Sequence, residues 1–386
     1  MDMKKREFLT AGLGVVGGLA TAGTVLAQNA PPAGRGGAAA PAGRGAPAPA
    51  AGRGAAAGGR GAAPVSTGVQ PSTVDWNYKP RRLNKVIELW EDNQPIYYTG
   101  AGLGPGVDPY AQGIKMNKTY ADAVTVDFEH GAMDFTQLRE FMRGIKDGGP
   151  TRSGHATPCV FVTSGIIGLD EAYARANSWV MTQFLDAGVH GVHICHARSP
   201  AAIASLAQEG CRYPFLDYPT PRLARRGLRG SSAGFAAQIW GMSGAEYCAK
   251  ADLWPLNPNG ELIFGVKVED TFADENVDST IGVQGVAFAE YGPGDHSYWL
   301  YGLAGMQGGG GRGATPPQPG VAEARPEMAR VRQAVLDACK RHNVKFLQGD
   351  NAGNIVAMIQ QGAMVNEAPE SAAIVGREFT KRKMPV

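Results

Sequence analysis

From residue 85 onward, short runs rich in β-branched and aromatic residues alternate with stretches in which apolar positions recur every three or four residues. The runs 95–99, 123–128, 158–163, 191–196, 262–269, 285–290, 344–348 and 363–367 predict eight strands. Their near-continuous apolar character suits strands covered on both faces. The intervening helices carry their own punctuation. Asp134 can cap a helix bearing Phe135, Leu138, Phe141 and Ile145 at helical spacing. Ser199-Pro200 opens a second helix that Gly210 closes, Pro326 opens another through Met328, Val331, Val335 and Ala338, and Gly362 ends the one after Asn351. Eight strands alternating with helices predict an α/β fold, a (β/α)8 TIM barrel over residues 75–386, in preference to an open sheet.

The N-terminal residues follow neither pattern. Lys4, Lys5 and Arg6, then a Gly-rich apolar run ending at Val25-Leu26-Ala27, read as an export signal over residues 1–27. Lys5-Arg6-Glu7-Phe8-Leu9 is similar to a twin-arginine signal with Lys in the first basic slot, so the expected location is periplasmic or secreted. Residues 28–74 are nearly all Ala, Gly, Pro and Arg, and predict a disordered N-terminal extension linking signal to barrel. A second Gly-rich tract, 307–320, reads as a long surface loop within the barrel. Lys and Arg number 37 against 35 Asp and Glu, a net charge of +2, which removes nucleic acid as a partner; the glycine-broken signal argues against a membrane-bound mature form. Five cysteines without a Cys-x-x-Cys pair give no disulfide framework, and Cys159 and Cys195 in apolar runs read as small buried hydrophobes.

In a barrel of this kind chemistry sits at the C-terminal ends of the strands, and the acidic residues gather there. One strand runs out into Asp127-Phe128-Glu129-His130, another into Lys267-Val268-Glu269-Asp270, and a third into Tyr291-Gly292-Pro293-Gly294-Asp295-His296. Carboxylates converging in one mouth repel unless a cation holds them, and two carboxylates plus waters suit a hard divalent ion.

These motifs, in this order, resemble the class II pyruvate aldolases, the 4-hydroxy-2-oxoheptanedioate aldolase and citrate lyase family. The similar segments are Asp127-Phe128-Glu129-His130, Phe184-Leu185-Asp186-Ala187-Gly188, Arg212-Tyr213-Pro214 with Gly227-Leu228-Arg229-Gly230, Val266-Lys267-Val268-Glu269, and Gly292-Pro293-Gly294-Asp295. The resemblance implies a phosphoenolpyruvate/pyruvate-type barrel, a homo-oligomer (hexamer or trimer), and an exported carbon–carbon lyase working through a metal-stabilised enolate of a 2-keto acid or related carbonyl substrate. It implies Glu269 and Asp295 as ligands to Mg, Mn or Co, His130 oriented by Asp127 as the proton-transfer group, and Glu129 on metal-bound water. Gly292, Pro293 and Gly294 would border the substrate.

The departures from that family pattern are specific. Phe161 stands in the slot of a substrate-gripping Arg, and Lys267 replaces a neutral residue two before the metal Glu. Residues 265, 267 and 269 share one face of their strand, so Lys267 is expected to point into the mouth, either to supply the missing positive charge or to pair with a nearby acid for structure alone. A Schiff-base role for it is the lesser possibility. His193 and His196, with Arg198 after them, and His296 beside Asp295 are further candidates, His296 as a second acid/base group or a selector of substrate. Two rival readings stay open: enolate chemistry without cleavage (a hydratase, isomerase or hydrolase), and a non-catalytic secreted ligand-binding barrel.

Overall fold

The computed structural model describes residues 66–217, 223–231, 233–302 and 326–386. The export signal (1–27), most of the linker and the 307–320 tract lie outside the described residues. Eight strands form: β1 (Ile96–Gly100), β2 (Ala123–Asp127), β3 (Cys159–Ile167), β4 (Gly191–Cys195), β5 (Ile263–Val268), β6 (Phe288–Tyr291), β7 (Lys345–Gly349) and β8 (Ala363–Glu367). Each pairs in parallel with the next, and β8 returns to β1 with Val365 opposite Ile96, which closes the barrel. The expected helices are present too. Asp134 accepts from the backbone N–H of Thr136 and Gln137 to cap Phe135–Asp147, and Pro326 opens Pro326–His342. Strand β3 continues past its expected end at 163, through the small polar residues Thr163, Ser164 and Gly165, with a register shift between Ser164 and Ile167.

Aromatic rings fill the interior. Phe161 lies 5.3 Å from the Tyr98 ring and 5.7 Å from that of Phe288, centre to centre. Room for Phe288 depends on Gly265, where a Cβ would fall 2.2 Å from Phe288 Cζ. Below this layer the helix Lys85–Glu91 presents Val86, Ile87, Leu89 and Trp90 to Ile96, Ala123, Cys159 and Ile263 at the starts of their strands, closing the N-terminal end. The barrel is thus a packed core that opens only at its C-terminal end.

Residues 66–74, the end of the expected linker, are hydrogen-bonded to the C-terminal part of the chain. Ser66 and Thr67 donate to Glu370 Oε1, Ser72 donates through backbone and hydroxyl to Glu378, and Gln70 Nε2 donates to the Val386 carbonyl at 2.8 Å. Residues 66–74 carry hydroxyl and amide donors that the Ala/Gly/Pro/Arg repeat lacks, and the helix Glu370–Phe379 together with the Arg382 and Val386 carbonyls supplies the acceptors.

At the closed end, Glu88 is buried and accepts from the Tyr78 hydroxyl, from the backbone N–H of Arg81 and Arg82 at 3.0 Å each, and faces His155 Nε2 at 3.1 Å. Burial alone would push its carboxyl up; the bonds from His155, Tyr78 and the two backbone groups pull it down to about 2. A carboxylate depressed in the folded state stabilises above its unfolded value of about 4.5 and loses that contribution as pH falls toward 2. Glu88→Gln is therefore expected to destabilise by about 2 kcal/mol at pH 7 and to flatten the fall in Tm between pH 5 and pH 2. Thermal melts across that range check it; an acid limb identical to wild type would contradict it.

Candidate active site

Three strand ends deliver the polar residues. Asp127 closes β2, and its Oδ1 accepts from the backbone N–H of Glu129 at 3.1 Å and of His130 at 3.2 Å, so the turn folds around the carboxylate. His130 Nδ1 then lies 3.1 Å from Asp127 Oδ2, which holds the proton on Nδ1 and aims Nε2 at Asp295 Oδ2, 3.4 Å away. The bond from Asp127, joined by Asp295 and opposed by burial, pushes the imidazole up to about 10.

Lys267 points inward from β5, as the strand alternation requires, and is buried. Its Nζ lies 2.7 Å from Glu129 Oε2, 2.7 Å from Glu269 Oε2 and 3.9 Å from Asp295 Oδ2. Burial would lower the ammonium, but Glu269, Glu290 and Glu129 raise it well above the usual lysine range and keep it charged. Asp295 sits in the first turn of Pro293–Tyr301, with Pro293 at the first helical position, where the helix N-terminus favours negative charge. Burial pushes Asp295 up, while His130 and Lys267 bring it below the usual carboxylate range.

Glu269, just beyond β5, is fully buried and accepts from the His196 backbone N–H at 2.9 Å. That bond depends on a left-handed turn at the end of β4, where His196 has φ 45°. Gly292 makes room for the carboxylate, since a Cβ there would fall 2.7 Å from Glu269 Oε2. Burial pushes the Glu269 carboxyl up against the pull of Lys267. His196 Nδ1 lies 2.6 Å from Asp270 Oδ2, and Arg198 Nε donates to the same oxygen at 2.8 Å.

Carboxylate oxygens suit a hard divalent cation, and the groups whose donor atoms all lie within 4.8 Å of one another are Asp127, Glu129 and His130, and Glu129, Cys195 and Glu269; among the described residues neither group includes Asp295. Glu129, Glu269 and Asp295 all present an oxygen within 4 Å of Lys267 Nζ. Glu269 Oε2 is buried and lies 2.7 Å from that ammonium. Four carboxyl groups (Asp127, Glu129, Glu269, Asp295) gather with one ammonium and the imidazoles of His130 and His196, so acidic groups outnumber basic ones here. Cys195, read from sequence as a buried hydrophobe, is buried but also lies in this cluster. Its Sγ and oxygens of Glu129 and Glu269 are all within 4.8 Å of one another.

Asp127, Glu129, His130, Lys267, Glu269 and Asp295 are thus brought together, with Gly292 and Pro293 shaping the turn and Gly294 accepting from Ser297 Oγ at 2.7 Å. Two candidates are not. Phe161 belongs to the aromatic layer beneath the mouth, its inward position on β3 covered by Tyr98, His193 and Phe288. His296 turns away, because the residue after Asp295 lies about 100° round the helix. It is buried against Tyr291 with Nε2 3.1 Å from Asp274 Oδ2. His193 likewise serves the interior, 4.8 Å from the Phe288 ring and 3.7 Å from Glu290. Asp270 had no signal in the sequence beyond an ordinary helix cap, a role it also fills for Phe272 and Ala273.

No family model matches the chain, and no curated protein matches it in sequence. Solved structures do match it in fold. An HpcH/HpaI aldolase from Desulfitobacterium hafniense aligns with a TM-score of 0.52 at 19% identity, over 76% of this chain and 93% of that one. An HpcH/HpaI aldolase/citrate lyase family protein from Burkholderia cenocepacia gives 0.52 at 16% identity, over 77% and 97%. The citrate synthase SbnG gives 0.50 at 15%, over 78% and 95%. At these identities the shared property is the barrel fold.

Removing the ammonium should expose the charge imbalance directly. In chelator-treated protein Lys267→Met is expected to cost about 3–5 kcal/mol, because it leaves buried carboxylates unpaired. Added Mn²⁺ should then raise the Tm of the variant more than that of wild type. Equal Mn²⁺ responses would show that Lys267 and the ion do not share the same carboxylates. Gly292→Ala should weaken Mn²⁺ binding at least tenfold while circular dichroism stays native, since the added methyl displaces Glu269; unchanged binding would contradict this.

Proposed function

We propose that this chain is an exported, divalent-metal-dependent carbon–carbon lyase of the class II pyruvate aldolase and citrate lyase type, acting on a 2-keto acid or related carbonyl substrate. The observation that carries the proposal is the gathering of Glu129, Glu269 and Asp295 around the Lys267 ammonium at the barrel mouth, beside a histidine held by Asp127. The shared barrel fold and the order of the motifs along the chain support it.

Glu269 and Asp295 would hold the metal, with Glu129 on its water. Such an ion, when bound, polarises the keto group so that negative charge developing in the reaction rests on oxygen. The chain's own residues do the remainder. Asp127 and Asp295 together keep His130 protonated; engagement of Asp295 in the ligand set leaves Asp127 as its partner and frees Nε2 to accept a proton. In cleavage of a 4-hydroxy-2-keto acid, Nε2 takes the hydroxyl proton, the C3–C4 bond breaks to release an aldehyde, and the proton returns to C3 of the keto-acid fragment. Lys267, buried among these carboxylates, would place its positive charge beside the substrate's carboxylate or the oxygen on which charge accumulates. The aromatic layer of Tyr98, Phe161 and Phe288 seals the floor, so substrate enters from the mouth.

Protein stripped of metal and resupplied with Mn²⁺ or Co²⁺ is expected to release pyruvate or glyoxylate from 4-hydroxy-2-keto acids, followed by a coupled dehydrogenase. His130→Asn should lower kcat by about 10²–10⁴ and leave KM within a few-fold. Failure of every keto acid tested, with Mn²⁺ shown to be bound, would overturn the lyase assignment and favour enolate chemistry without cleavage. Failure of the protein to bind either ion would favour a non-catalytic ligand-binding barrel.

A further inference from the structure

Cys195 ends β4, and the alternation of that strand decides what its thiol meets. Gly191, His193 and Cys195 share the face turned to the barrel interior, where His193 lies against the Phe161 and Phe288 rings. Cys195 stands one step nearer the mouth and is fully buried. Its carbonyl accepts from the Gly168 N–H at 3.0 Å, and the next residue, His196, gives its backbone N–H to Glu269 at 2.9 Å. One turn therefore positions both the thiol and the Glu269 carboxylate.

The other buried cysteines have apolar surroundings. Cys159 packs with Val86, Ile96 and Ile263 at the closed end, and Cys211 and Cys339 belong to the main apolar core. Among the described residues Cys195 belongs to no apolar cluster. Its Sγ lies instead with oxygens of Glu129 and Glu269, all within 4.8 Å of one another. A residue that only filled space would not need this placement. Metal–sulfur bonds are about 2.3 Å and metal–oxygen bonds about 2.1 Å, so one ion reaches these donors with small closure of the set.

Sulfur changes which ion such a set prefers. Carboxylate oxygens alone suit Mg²⁺ or Mn²⁺, whereas a thiolate is a soft donor that bonds Co²⁺ or Zn²⁺. The Lys267 ammonium contends for the Glu129 and Glu269 oxygens, and sulfur gives a transition ion a further bond that Mg²⁺ lacks. We infer that Cys195 joins Glu269 as a ligand of the mouth ion, and that the site accordingly selects Co²⁺ or Zn²⁺ over Mg²⁺. The inference rests on the reading of the mouth as a divalent-metal site and is independent of which bond the enzyme breaks. On coordination the S–H bond is exchanged for a sulfur–metal bond and the proton passes to solvent.

Cobalt spectroscopy on the full chain tests this without turnover. Co²⁺ added to chelator-treated protein is expected to give a near-ultraviolet sulfur-to-cobalt charge-transfer band that saturates at one ion per chain. Cys195→Ser should abolish the band, and Cys248→Ser, at the half-buried cysteine, should retain it. Competition between Co²⁺ and Mg²⁺ gives a second readout: Cys195→Ser should lower the preference for Co²⁺ at least about tenfold. Cys195→Ala, small and apolar, replaces the serine variant if that one does not fold. A merely structural Cys195 would change both affinities alike and leave the preference unmoved. That result, Co²⁺ bound without the band, or a band that survives loss of Cys195 would overturn the inference. Failure to bind any ion would overturn it together with the metal reading of the mouth. A sulfur–cobalt band in a protein that cleaves no keto acid keeps the ligand and removes the lyase.

Discussion

A lysine ammonium buried at the end of β5 is the constraint around which the barrel mouth is arranged. Taking such a group out of water costs several kcal/mol, and so does crowding three carboxylates into one space. Lys267 with Glu129, Glu269 and Asp295 removes both penalties at once, and neither half is tenable alone. The partners come from the turn after β2 and from β5 and β6, and β2 and β6 stand four places apart in the eight-stranded ring. Closure of the barrel therefore brings the charges together, and the charges in turn tie its far sides across the mouth.

The same arrangement gives the site its chemical character. With four carboxyl groups against one ammonium and two imidazoles the mouth is rich in acidic oxygens, the kind of donor a hard divalent cation prefers. Such an ion competes with Lys267 for the same oxygens. The lysine would thus serve twice, steadying the carboxylates before the ion arrives and presenting a positive charge to substrate afterwards. Gly292 and the left-handed turn at His196 are local backbone features that exist to seat Glu269. The aromatic layer of Tyr98, Phe161 and Phe288 lies beneath the mouth.

Much of this was legible along the chain because barrel strands announce themselves twice, by apolar runs and by the polar residues at their ends. Asp127, Glu129, His130, Glu269 and Asp295 could be picked out because each lies at or just past a strand end, and Lys267 because it shares a face with Glu269. Residues whose importance depends on neighbours from other strands were harder to read. Phe161 looks like the loss of a site residue, yet Gly265 and Phe288 on β5 and β6 make it part of the floor. His296 stands next to Asp295 in sequence and faces elsewhere, because one step along a helix turns a side chain through about 100°. Asp270 and Arg198 are 72 residues apart and acquire meaning only as a pair. Residues 66–74 share the small-residue character of the linker, and the acceptors that hold them lie some three hundred residues later.

Anomalous diffraction from crystals soaked in Mn²⁺ addresses the central point most directly. A single anomalous peak should appear bonded to Glu269 and Asp295, with Lys267 Nζ moved out of its place among the carboxylates. A peak elsewhere on the chain, or an undisturbed Lys267 ion pair with no peak at the mouth, would contradict a cation site built around these residues.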